Sequence, residues 1–93
     1  MREYEIVYIA HPDLEDNALN EVNEKVKGWV TEAGGSVTKA DFWGRRRMAY
    51  AIRKQKEGQY MVLRVKLEPT SVAAIERNLR FLEPVMRFAI SQV

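Results

Sequence analysis

The stretch SVTKADFWGRRRMAYAIRKQKEGQYMVLRVKL, residues 36–67, holds two alternating runs separated by a polar turn. In the first, Ser36 to Ile52, the apolar residues Ala40, Phe42, Met48, Tyr50 and Ile52 keep one parity across Gly44, which is read as a bend or bulge in a single long strand. In the second, Gln59 to Leu67, Met61, Leu63, Val65 and Leu67 alternate with Tyr60, Val62, Arg64 and Lys66. A period of two puts each set on its own face. The polar connection Arg53 to Gly58 is short, so the pair predicts an antiparallel hairpin whose first strand outruns the sheet as an arm.

Upstream of the hairpin, Glu3 to Ala10 carries Tyr4, Ile6 and Tyr8 on one alternation and Val7 and Ile9 on the other, the content of a central strand covered on both faces. His11-Pro12-Asp13 breaks it, and Asp13 or Asp16 is expected to cap the helix that follows. Leu19, Val22, Val26, Trp29, Val30 and Ala33 then recur at spacings of three and four, an amphipathic stripe that Gly34-Gly35 ends. Downstream, Pro69-Thr70-Ser71 supplies a break and a cap before a second stripe, Val72, Ile75, Leu79 and Leu82, which stops before Pro84. Val85 to Ile90 reads as the last strand. The order βαββαβ is that of a split βαβ, an α+β fold with two helices on one face of a four-stranded antiparallel sheet. Val7, Ile9, Tyr60, Val62 and Phe88 are apolar or aromatic candidates for the opposite, exposed face, which is expected to meet a partner.

A chain of 93 residues, 46% hydrophobic and 30% charged, fits one domain spanning residues 1–93 with a modest core. The absence of cysteine excludes disulfides, thiolate metal sites and cysteine nucleophiles. No apolar run approaches the roughly 20 residues that span a bilayer, and the strand pattern beginning at Tyr4 is expected to leave no room for a signal or transit segment. A net charge of +2 says little about partners, but its distribution says more. Arg45, Arg46, Arg47, Arg53, Lys54 and Lys56 lie together with no acid among them before Glu57, whereas Asp13 to Glu32 is dominated by carboxylates. Such polarity suits an anionic partner on one side, or a solvated loop beside a solvated helix face.

The inventory for catalysis is thin. His11 is the only histidine, with no second histidine or carboxylate pair to complete a site, so no enzyme activity, metal, cofactor or small-molecule substrate is expected. Acylphosphatases share the topology, but they hold phosphate on backbone N–H groups in the first loop, where Pro12 removes a donor and Asp13 repels the ligand. RNA-recognition motifs share it too and stack bases on middle-strand aromatics. Here Gly58-Gln59-Tyr60-Met61-Val62-Leu63-Arg64-Val65 supplies one aromatic of that pattern, and Tyr60 is as well suited to packing on a protein.

Three consecutive arginines on a strand place Arg46 on one face and Arg45 and Arg47 on the other, an arrangement fitted to phosphates on irregular RNA or to keeping a long hairpin soluble. In Gly44-Arg45-Arg46-Arg47-Met48-Ala49-Tyr50-Ala51-Ile52 the chain resembles the bacterial small-subunit ribosomal protein six family. That family's signature is matched at Gly44, Arg46, Arg47, Ala49, Tyr50 and Ile52, with Met48 in place of the usual leucine and Ala51 of a common proline. The opening Met1-Arg2-Glu3-Tyr4-Glu5 and the loop ending at Gly58 look like the family as well. The resemblance implies a ferredoxin-like fold and a structural role in the cytoplasmic small ribosomal subunit, binding central-domain small-subunit rRNA as a heterodimer with ribosomal protein eighteen. It implies no catalysis and no membrane. Arg2, Arg46, Arg47, Lys54 and Arg87 are then the first candidates for RNA or partner contact, joined by Arg45, Arg53 and Lys56. Tyr50 is expected to fix the arm by packing.

Overall fold

The computed structural model describes residues 1–52 and 54–93. Its elements are β1 (Arg2–Ala10), α1 (Asp16–Glu32), β2 (Ser36–Ile52), β3 (Gln55–Leu67), a 3-10 turn over Pro69–Ser71, α2 (Val72–Arg80) and β4 (Val85–Gln92). The expected order is present, and the strands form one antiparallel sheet in the order β2-β3-β1-β4. β1 is central, as its two apolar alternations require.

One alternation of each central strand builds the core. Tyr4, Ile6 and Tyr8 lie opposite Val65, Leu63 and Met61, and Val22, Val26 and Val30 of α1 with Ile75 and Leu79 of α2 close over them. These side chains supply the apolar burial that makes short helices stable here. One polar pair is buried with them: the Tyr8 hydroxyl donates to Asn23 Oδ1, and Asn23 Nδ2 lies 3.8 Å from Met61 Sδ. Burial, with the Glu24 carboxylate a second cause, pushes the Tyr8 phenol well above the usual tyrosine range.

The ends of the helices depart from the sequence reading in one respect. Neither aspartate caps α1: Glu15 is the N-cap, without a side-chain bond, and Asp16 sits in the first turn, where its charge meets the positive end of the helix. The turn before α2 likewise has no side-chain cap. The end of α1 follows expectation. Gly34 takes φ 82°, and the N–H groups of Gly34 and Gly35 bond to Thr31 O and Val30 O at 3.0 Å, a Schellman closure.

The hairpin corrects the expected parity and the expected arm. β3 begins at Gln55, within the stretch read as a polar connection. Phe42 pairs with Met61 and Gly44 with Tyr60, so Trp43 is an extra residue at a bulge, and Gly44 at φ 78° accommodates it. One added residue reverses the alternation. Ala40 and Phe42 therefore stand opposite the core residues Leu63 and Met61, whereas Met48 and Tyr50 turn to the open face of the sheet, where they line a pocket with Ile9, Tyr60 and Arg87. Further out, the register passes from Arg47 opposite Glu57 to Ile52 opposite Gln55, so four residues of β2 face one of β3. The strand curls, and its tip folds back over the open face instead of extending beyond the sheet.

Candidate nucleic-acid interface

The open face is divided by charge. At the end formed by the start of β1, Arg64 sits between Glu3 (3.7 Å) and Glu5 (3.3 Å), and beyond it Lys39 pairs with Asp41 at 3.6 Å. Opposite charges are matched there. At the other end, around the curled tip of β2, Arg46, Arg47, Lys54, Lys56 and Arg87 are exposed and none has an ion pair among the described residues. The nearest acid in sequence, Glu57, is engaged by Arg45, Nε to Oε2 at 3.8 Å.

Aromatic groups are interleaved with these cations. The bulge delivers Trp43 onto the ring of Tyr60, with centroids 6.3 Å apart and planes 11° from parallel. The guanidinium of Arg46, opposite Gly58 in the ladder, lies 5.3 Å from the Trp43 ring centre. On β4, Arg87 stands 5.4 Å from the Tyr50 ring centre and donates a hydrogen bond to its hydroxyl. Both contacts are cation–π pairs. Beneath them Met48 is buried, and beside them Val7, Ile9 and Ala89 line a shallow apolar hollow.

The loop between β1 and α1 is tied to the same hairpin. Gln59 is buried on the helix side, and its Nε2 donates toward Leu14 O at 3.0 Å, His11 O at 3.2 Å and Pro12 O at 3.4 Å. Arg45 adds a bond from Nη2 to Pro12 O at 2.6 Å. His11 O also accepts from the Leu14 N–H at 3.2 Å, and the side chains at two paired strand positions supply the further donors to the carbonyls of this loop.

Of the expected contact residues, Arg46, Arg47, Lys54, Lys56, Arg87 and Tyr60 are gathered at one end of the molecule. Arg45 belongs to the same strand but spends its guanidinium on Pro12 and Glu57. Arg2 lies at the opposite end of β1, 3.4 Å from Gln92 Oε1. Arg53 lies outside the described residues. Two assignments to the exposed face are corrected. Val62 is on that face but only 7% exposed, its short side chain set between Val7 and Asp41 and flanked along the strand by the longer Tyr60 and Arg64. Phe88 pairs with Tyr8 on the helix side and packs against the core, because the register shift in β4 places Met86 as an extra residue and sends Arg87 outward. Trp43 and Gln59 were missed as site residues. The signal for Trp43 was the lone glycine after it, which marked the bulge without giving its direction.

Among the described residues no group of three or more histidines and carboxylates is placed to hold a metal, and no helix is long and apolar enough to cross a membrane. The side chains at the tip offer stacking surfaces and fixed positive charge, the chemistry of binding. Fold and surface together define a small ferredoxin-like α+β protein with one face of its sheet packed by helices and a basic, aromatic region on the other. The chain belongs to the ribosomal protein S6 family, whose model matches residues 3–92. It is 41% identical to the small ribosomal subunit protein bS6 of Moorella thermoacetica over 93 residues, covering 100% of this chain and 95% of that one. The bS6 protein of Streptomyces griseus is 42% identical over 87 residues, 94% of this chain and 91% of its own. The crystal structure of 30S ribosomal protein S6 from Thermotoga maritima superposes with a TM-score of 0.94 at 26% identity, covering 99% of this chain and 87% of that chain.

Proposed function

We propose that the chain, residues 1–93 acting as one domain, is a structural constituent of the cytoplasmic small ribosomal subunit that binds central-domain rRNA together with ribosomal protein eighteen and performs no catalysis. Membership of the family supports the place in the subunit. The observation that carries the RNA contact is the gathering at one end of the open face of Arg46, Arg47, Lys54, Lys56 and Arg87, none of which has an ion pair among the described residues. Fixed cations there neutralise phosphates and release counterions, while at the other end of the same face Arg64 and Lys39 are already paired with Glu3, Glu5 and Asp41. The apolar hollow of Val7, Ile9 and Ala89 lies beside the cations and gives ribosomal protein eighteen a surface continuous with the RNA.

The test is a double substitution, Arg46→Ala with Arg47→Ala, measured in the complex of this chain, ribosomal protein eighteen and a central-domain rRNA fragment. Affinity should fall, and the slope of log affinity against log salt should become shallower by roughly 0.7 to 0.9 for each phosphate contact removed. An unchanged affinity and slope would remove the arm from RNA binding.

A further inference from the structure

Trp43 is 49% exposed, although it is a large apolar side chain. Its position results from a specific arrangement of backbone: the bulge opposite Met61 and Tyr60 and the left-handed Gly44 turn the indole onto the open face. Tyr60 supports one side of the ring, and Arg46 lies over the indole without burying it. An arginine over an indole occupies the place where another flat, polarisable group can stack, and it is held there by an exposed cation–π contact that a stronger partner displaces.

We infer that Trp43, backed by Tyr60, is a stacking platform for one unpaired base of the bound RNA, with Arg46 moving aside to the phosphate of the same strand. This inference rests on the function proposed above and adds a base contact to a surface otherwise read as phosphate-binding. Charge selects the occupant. Arg46 lies over the ring, and Arg87 lines a pocket with Tyr60, which backs it, so a protein chain seated there would have to bring carboxylates to match these cations, whereas every nucleotide carries its own phosphate beside its base. Indole, phenol and guanidinium together make the mixed aromatic and cationic surface on which single-stranded RNA is bound without a base-specific hydrogen bond.

The experiment uses the full chain with Trp29→Phe, so that Trp43 is the sole tryptophan, together with ribosomal protein eighteen and a central-domain rRNA fragment. RNA should quench Trp43 emission, and adding ribosomal protein eighteen alone should not. Trp43→Leu, which keeps an apolar side chain but no π face, should weaken RNA binding by roughly tenfold while leaving the salt slope unchanged, and Trp43→Phe should recover most of the loss. Circular dichroism and the affinity for ribosomal protein eighteen serve as controls that the variants fold. Wild-type affinity in Trp43→Leu with no quenching would overturn the platform while leaving the proposed function standing. Loss of affinity for ribosomal protein eighteen in Trp43→Leu, with a change in emission on adding that protein alone, would assign the ring to the protein partner. If the parent chain bound no RNA even with ribosomal protein eighteen, both the platform and the function beneath it would fall.

Discussion

The hydroxyl of Tyr50, near the tip of β2, accepts a hydrogen bond from the guanidinium of Arg87 on β4, although β3 and β1 lie between their strands in the sheet. The contact is made possible by the curl of β2 beyond Arg47, and it closes the arm over Ile9, Met48 and Tyr60. Tyr50, expected to fix the arm by packing, here bridges the open face to β4. Because both side chains are exposed, the cation–π pair contributes about 0.5 to 1 kcal/mol and holds the tip without dominating stability. Tyr50→Ala should therefore leave global unfolding almost unchanged while trypsin cleaves after Arg47 faster, and Tyr50→Phe should lie between the two. Parental cleavage rates in Tyr50→Ala would show that the latch does not restrain the tip.

Gln59 serves the carbonyls of the β1–α1 loop from a buried position. Leucine in its place keeps most of the volume but leaves those oxygens with fewer donors, a change that costs about 2 kcal/mol. Urea denaturation of Gln59→Leu should show a lower midpoint with an unaltered slope. A midpoint equal to that of the parent protein would mean that water satisfies the loop without Gln59.

Two glycines should respond differently to alanine. A Cβ on Gly58 would stand 2.3 Å from Ile9 Cγ2, a side-chain atom, whereas on Gly35 it would stand 2.3 Å from Lys66 O in the backbone. Each substitution should destabilise by about 1 to 3 kcal/mol. In a double-mutant cycle Ile9→Ala should restore part of the loss in Gly58→Ala and none in Gly35→Ala. Additive effects at Ile9 and Gly58 would contradict the close approach.

The buried phenol of Tyr8 sets an alkaline limit. Its folded-state pKa lies above the unfolded value of about 10, so above that pH the unfolded chain holds fewer protons than the folded one and stability falls as pH rises. Below about pH 9 the group is neutral in both states and contributes no pH dependence. Tyr8→Phe should be less stable at neutral pH, having lost its bond to Asn23, and should show a shallower decline above pH 10. Equal declines in the two proteins would place the alkaline limit elsewhere.

The order of elements was legible because each boundary carries its own chemistry: Pro12 after β1, Gly34-Gly35 after α1, Pro69 before α2 and Pro84 before β4. The core side of the sheet was legible from the period-two pattern of Tyr4, Ile6, Tyr8 and of Met61 to Leu67, since a strand without bulges preserves parity. Bulges hid the rest. The extra residues Trp43 and Met86 each reverse an alternation, and they account for the wrong expectations at Met48, Tyr50 and Phe88. The cluster of cations was visible as a run of letters, but its division into Arg45, bound to Pro12, and Arg46, laid on Trp43, depends on which face each strand position takes after the bulge. Arg2 shows the converse limit: a basic residue within reach in composition stands at the far end of β1 from the rest.

The most direct test is the affinity of the full chain for a central-domain fragment of small-subunit rRNA, with and without ribosomal protein eighteen, at two salt concentrations. The proposed function predicts tight binding that appears with the partner and weakens steeply as salt rises. Equal binding without the partner would contradict the heterodimer, and the absence of binding in both conditions would contradict the RNA-binding role itself.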